Sequence, residues 1–256
     1  MKPSFYQGIL RKCMFASVLA GFFFAVPASA VSVPILMYHD FVPDDAVCGE
    51  YAVTESRFRE HLCALEQAGY ESVTFADVIA YADGEGELPP KPVLITADDG
   101  YTGVLTIAVP LADSFGMTVS AAVIGSMEGD EGHFSLEEAY VPHTEIVSHT
   151  FDLHGADGCI VPDEVLREDI ARMRAFAGGA FPMTAQVFVY PYGAYSARTE
   201  EVLRAAGYRV SVTCDRGTAQ VTHGSDLFAL PRIGVYQTMD AGDLLASLGE
   251  KRPAAE

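Results

Sequence analysis

The chain has 256 residues and a formal net charge of −19, from 35 acidic and 16 basic side chains. So acidic a protein is excluded as an electrostatic binder of nucleic acid or anionic lipid. Half of its residues are hydrophobic, enough for a well-buried core, and none of its five cysteines forms a CxxC pair of the zinc-thiolate or redox kind.

In chain order, residues 1–30 read as an export signal. Lys2, Arg11 and Lys12 form a positive start, an apolar run follows to Val26, and Ala28-Ser29-Ala30 is a small-residue cleavage pattern. The run is shorter than the roughly 20 apolar residues that cross a bilayer. Cleavage after Ala30 leaves 226 residues in a single domain, residues 31–256, and removing three cations takes the net charge from −19 to −22. No later stretch is long and apolar enough to span a membrane, and a monomer outside the cytoplasm is expected. Export permits disulfides among Cys48, Cys63, Cys159 and Cys214, with three connectivities open.

The mature chain alternates β-rich runs with helical stretches. A strand over 33–38 ends at His39. Thr54 caps a helix to about Ala68, which places His61 on a helix surface, and Gly69 stops it. A short strand over 71–75 and a helix over 76–81 follow. The apolar strand 92–96 leads into Asp98-Asp99-Gly100, then a helix over 104–115 and a strand over 118–124. After a glycine-rich loop, strand 145–148 leads into His149. Asp163 caps a helix to about Ala177, and a strand over 186–190 precedes Pro191-Tyr192-Gly193. A helix over 197–206, strands over 208–213 and 229–235, and a short helix near 241–248 complete the chain. This alternation predicts a parallel α/β sheet, open or closed into a barrel. In a barrel, side chains at the C-terminal strand ends share one mouth, and His39, Asp98, Asp99, His149 and Tyr192 all follow strands.

The chemistry of these residues has two readings at each point. Asp98-Asp99-Gly100 is ordinary turn chemistry, or a carboxylate pair in which one is neutralised by a metal and the other is free for proton transfer. His149 and His154, five apart, do not share a helix face. A loop bringing both rings to one carboxylate gives a ligand set that leaves positions open on a divalent ion. Asp152 between them either orients an imidazole or forms an Asx-turn. His133 and His143 flank an insertion and could themselves touch substrate.

Three motifs carry a resemblance. Thr96-Ala97-Asp98-Asp99-Gly100-Tyr101 resembles the T-F-D-D-G motif of polysaccharide deacetylases (carbohydrate esterase family four). The segments 148–154 and 189–193 look like that family's second and third motifs. Leu36-Met37-Tyr38-His39 resembles the opening of its exopolysaccharide poly-N-acetylglucosamine deacetylase subgroup. The resemblance implies a distorted (β/α)7 barrel and hydrolysis of acetyl groups on an amino-sugar polymer. It also implies one divalent metal ion (zinc, or iron, cobalt or nickel) on Asp99, His149 and His154. Asp98 is then the general base, and the Tyr192 backbone N–H holds the oxyanion. The late Leu-x-His motif that supplies the acid in most members is absent, and His39 takes its place, as in the subgroup. Tyr190 stands where most members carry a base-orienting Arg, and Arg232 could supply that cation. Tyr101, Tyr190 and Arg232 are the expected substrate-side residues. An O-acetyl xylan esterase and a catalytically dead carbohydrate-binding relative remain alternatives.

Overall fold

A computed structural model describes residues 30–155 and 158–251. The proposed export signal therefore lies outside the described residues, except for Ala30. Seven parallel strands close into a ring in sequential order: β1 (Ile35–Tyr38), β2 (Pro92–Ala97), β3 (Val119–Val123), β4 (Thr144–Ser148), β5 (Val187–Val189), β6 (Val210–Arg216) and β7 (Leu227–Gly234). β1 closes it by pairing with both β2 and β7, through Leu36 opposite Ile95 and Leu36 opposite Ile233. The ring is uneven. β3 and β4 pair over five residues, whereas β4 and β5 meet at one pair, Ser148 opposite Phe188.

The period-two alternation of strands sorts their side chains. Ile35, Leu94, Ala122, Val147, Val187, Val189, Val210, Val212 and Leu230 form one buried cluster inside the ring. Leu36, Tyr38, Val93, Ile95, Ala97, Val119, Ala121, Val123 and Ile146 belong to a second, packed outside against the helices. Phe188 and Tyr190 fall in a third, with Leu166 and Ile170 of one helix and Val202 and Leu203 of another.

Those helices begin where capping chemistry allows. Thr54 caps α1 (Glu55–Gln67), accepting from the Arg57 N–H at 3.3 Å. Thr74 and Asp77 form a capping box on α2 (Phe75–Asp83). This is why the strand expected to reach Phe75 stops at Ser72. The helix expected over 104–115 starts as a π-helical turn, Val104–Ala108, before α3 (Val109–Asp113). Pro110, with no N–H to donate, sits at that junction. Pro162, not Asp163, occupies the N-cap position of α4 (Asp163–Ala177), with no side-chain capping bond, and Ser196 and Thr199 box α5 (Ala197–Ala205). α6 (Ala241–Ser247) packs against α1.

His61 is a further correction. It is fully buried, and its Nε2 donates to the Met239 carbonyl at 3.0 Å while its Nδ1 accepts the Tyr38 hydroxyl at 3.0 Å. Burial lowers its pKa to about 4, keeping it neutral. Cys48, Cys63, Cys159 and Cys214 are all free thiols. Among the described residues no helix is long and apolar enough to cross a membrane.

Candidate active site and metal centre

Leu94, Thr96 and Asp98 follow one another on the inner face of β2 and just beyond it, so the strand carries Asp98 into the barrel. Its carboxylate is 2% exposed and meets the equally buried Arg232 of β7. Nη1 and Nη2 of Arg232 donate to Oδ1 and Oδ2 of Asp98, each at 2.8 Å, the two-pronged geometry that suits a guanidinium. Arg232 also donates from Nε to the Thr213 carbonyl and from Nη1 to Thr96 Oγ1. Thr96 in turn donates to the Leu36 carbonyl at 2.7 Å. Burial alone would raise the Asp98 pKa, but the charge and hydrogen bonds of Arg232 outweigh it and hold the carboxyl below its ordinary range.

Asp99 turns the other way because its backbone is left-handed, with φ of 74°. Such a conformation is costly for a residue with a Cβ and is commonest where function demands it. Asp99 Oδ1 lies 3.4 Å from His149 Nε2 and 3.2 Å from His154 Nε2. Burial pushes the Asp99 carboxyl up, while the two imidazoles beside it, when protonated, pull it far below the ordinary range. One ligand atom from each of the three residues falls within 4.8 Å of the others, a group that could hold a metal ion.

His149 is fixed from behind. Its Nδ1 lies 2.8 Å from the Val189 carbonyl, bridging the weak seam between β4 and β5. A carbonyl only accepts, so Nδ1 carries the proton and Nε2 presents a lone pair toward Asp99. Two acceptors facing each other need a cation between them, a proton or a metal. The five-residue spacing to His154 is accommodated by Thr150, also left-handed with φ of 71°, and by Asp169 of α4. The Asp169 carboxylate accepts the N–H groups of Phe151 and Asp152, each at 2.8 Å. Sequence reasoning missed Asp169, although the signal was present: a carboxylate on the same helix stripe as buried Leu166, Ile170 and Met173. Asp152 pairs with Arg172 at 3.5 Å rather than with an imidazole.

A cavity of about 440 Å³ opens over these residues, lined also by Met37, His39, Tyr51, Tyr101, Tyr192, Cys214 and Tyr236. His39 follows β1 in the inner phase, its ring 4.9 Å from Tyr51 and its buried Nδ1 without a partner. The strand after it, Asp40–Val42, is tied down from outside. A Cβ on Gly103 would stand 1.9 Å from the Phe41 carbonyl oxygen, so only glycine admits this approach. Tyr192, 62% exposed and left-handed, lies 5.1 Å from the His154 ring. Tyr101 lines the cavity beside Asp99; burial and that carboxylate raise its phenol pKa, and its ring stacks on His133 at 5.0 Å.

Two of the expected substrate-side residues are placed elsewhere. Tyr190 shares the outward phase of Phe188 and is fully buried, stacked on Tyr195 at 4.9 Å. Arg232 lies beneath Asp98, sealed from any ligand, and stands where the base-orienting cation was sought. His143 pairs with Asp113, and His223 packs on Tyr81 of α2; neither lines the cavity.

The family model described as "Polysaccharide deacetylase" matches residues 85–211, the stretch that holds Asp98, Asp99, His149, His154 and Tyr192. The chain carries a polysaccharide deacetylase domain. Its ring resembles IcaB from Ammonifex degensii, with a TM-score of 0.70 and 28% identity over 80% of this chain and 91% of that one. It also resembles the deacetylase PplD of Streptococcus pyogenes, with a TM-score of 0.74 at 21% identity over 86% and 99% of the two chains, a likeness of fold. The poly-beta-1,6-N-acetyl-D-glucosamine N-deacetylase of Escherichia coli is 27% identical over 75% of this chain, which spans 35% of that relative's length. The deacetylase domain is thus a distorted (β/α)7 barrel and a hydrolase, as the motifs implied.

Proposed function

We propose that this deacetylase removes N-acetyl groups from an N-acetylglucosamine-containing polysaccharide outside the cytoplasm, either poly-N-acetylglucosamine or peptidoglycan, using one divalent metal ion. The observation that carries this reading is the convergence of the Asp99 carboxylate and two imidazoles, with the His149 lone pair turned inward by Val189. Asp99, His149 and His154 would hold zinc, or iron, cobalt or nickel. Such an ion would polarise the acetyl carbonyl and lower the pKa of the attacking water.

The remaining work falls to the chain's own residues. Asp98, kept ionised and oriented by Arg232, accepts the proton of the attacking water. The Tyr192 backbone N–H donates to the oxyanion as water oxygen bonds to the acetyl carbon. The carbon–nitrogen bond then breaks, and His39 gives its proton to the departing amine, leaving acetate and a free amino sugar. Tyr101 lines the approach beside Asp99.

The polymer preference leans on the β-1,6-linked substrate in the name of the Escherichia coli relative. Amine release should be measured side by side on β-1,6-linked N-acetylglucosamine oligomers, chitin oligomers and peptidoglycan. Chelator-sensitive release, fastest on the β-1,6 series, is expected. Acetate release from acetylated xylan with no amine from any of the three would sink the proposal. Export rests on residues 1–30, and the protein recovered outside the cytoplasm should begin at Val31. An intact Met1 on the folded enzyme would contradict it.

A further inference from the structure

Two aromatic rings in the cavity take no part in the scheme above. Tyr51 is 47% exposed and Tyr236 is 37% exposed, so both rings present open aromatic surface beside the cavity they line. Their centroids lie 5.6 Å apart at 52°, and Tyr51 continues onto His39 at 4.9 Å. They come from distant parts of the chain, one in the loop before Ala52–Thr54 and the other just after β7. The Gln237 N–H donates to the Glu50 carbonyl at 2.9 Å, so a backbone hydrogen bond between their neighbours holds them together.

The placement of Tyr236 is built in rather than incidental. Its ring folds back over Gly234, where a Cβ would stand 2.8 Å from the hydroxyl oxygen and 3.0 Å from Cζ. Any side chain larger than hydrogen would push the ring aside. The result is an aromatic wall, continuous with the catalytic cavity and beginning at His39. It is apolar on the ring faces and polar at the phenol tips. A pyranose ring presents the complementary surface: a face of C–H bonds rimmed by hydroxyls.

We infer that Tyr51 and Tyr236 form a stacking subsite for a sugar ring adjacent to the one that loses its acetyl group. The inference rests on the polysaccharide reading of the site and adds that the enzyme recognises a chain of sugars rather than a single unit. Tyr192, on the His154 side, leaves the His39 side for this neighbour. The apolar patch of Tyr140, Val141 and Phe181 near the N-terminal end of β4 has no such continuity with the site.

The test compares a pentameric N-acetylglucosamine oligomer with a small acetyl ester that reaches only the metal centre. Tyr51→Ala and Tyr236→Ala should lower kcat/KM for the pentamer about tenfold more than for the ester, the scale of an aromatic contact. Tyr51→Phe and Tyr236→Phe should keep most of the preference. Gly234→Ala should reproduce the Tyr236→Ala signature by displacing its ring. Equal losses on both substrates, or an unchanged ratio, would overturn the subsite. Pentamer binding measured by calorimetry separates this from the deacetylation reading itself. A Kd about tenfold weaker in Tyr236→Ala supports the wall even where no amine is released, and an equal Kd refutes it.

Discussion

The inside of the barrel holds two regions on the same strands, and they are kept together by different physics. Below the mouth, Ile35, Leu94, Val147, Val187 and Val210 fill the ring with apolar surface, around one buried carboxylate, Glu145, which accepts the Ser120 hydroxyl and the Phe75 and Ala76 N–H groups. Two to four residues further along, the same inward phase carries Thr96, Asp98, His149, Cys214 and Arg232. The lower region is held by area removed from water, which degrades gradually when atoms are lost. The upper region is a set of buried charges and hydrogen bonds in which each group depends on a named partner. The groups proposed for catalysis sit at the mouth, directly above this close-packed layer.

If the upper region divides labour as proposed, the largest effect separates chemistry from scaffold. An amine leaves poorly until protonated, so His39→Ala should lower kcat on the amide by roughly 10²–10⁴. An activated ester, whose leaving group needs no proton, should lose far less, and metal content should be kept. Equal loss on both substrates would return His39 to a structural role and turn attention to His133, stacked on Tyr101 at the mouth.

The two regions should also break differently. Arg232→Met strands the Asp98 carboxylate without its partner and should cost about 3–5 kcal/mol in denaturant unfolding. Replacing both partners, Arg232→Met with Asp98→Leu, should recover most of that stability and none of the activity. Leu94→Ala in the lower region should cost about 2–5 kcal/mol but leave the amide-to-ester rate ratio unchanged. A double variant no more stable than Arg232→Met alone would show that the pair is not the local determinant of folding.

Much of this organisation is written in the sequence, because period-two phase and strand-end position are local properties. Asp98, His149 and Arg232 continue the inward phase of Leu94, Val147 and Leu230, which is why motif and geometry agree. The same rule, applied one residue further, would have excluded Tyr190: it shares the outward phase of Phe188. His61 and Asp169 were hidden for another reason. Each is a polar residue on an apolar helix stripe, and its partners, Tyr38 and Met239 for one and the Phe151-Asp152 backbone for the other, come close only once the barrel has closed. The left-handed backbone at Asp99, Thr150 and Tyr192 is equally non-local, since no glycine announces it. The Tyr51–Tyr236 wall depends on strand closure for the same reason.

The central claim is that Asp99, His149 and His154 act together as a metal centre, and elemental analysis of purified protein tests it most directly. Wild type is expected to retain one divalent ion per chain through gel filtration. His149→Ala and His154→Ala should each lose most of it, with amide hydrolysis falling in step, and chelation of the wild type should do the same reversibly. Stoichiometric metal retained in both single variants, or full activity after the ion is removed, would contradict the account.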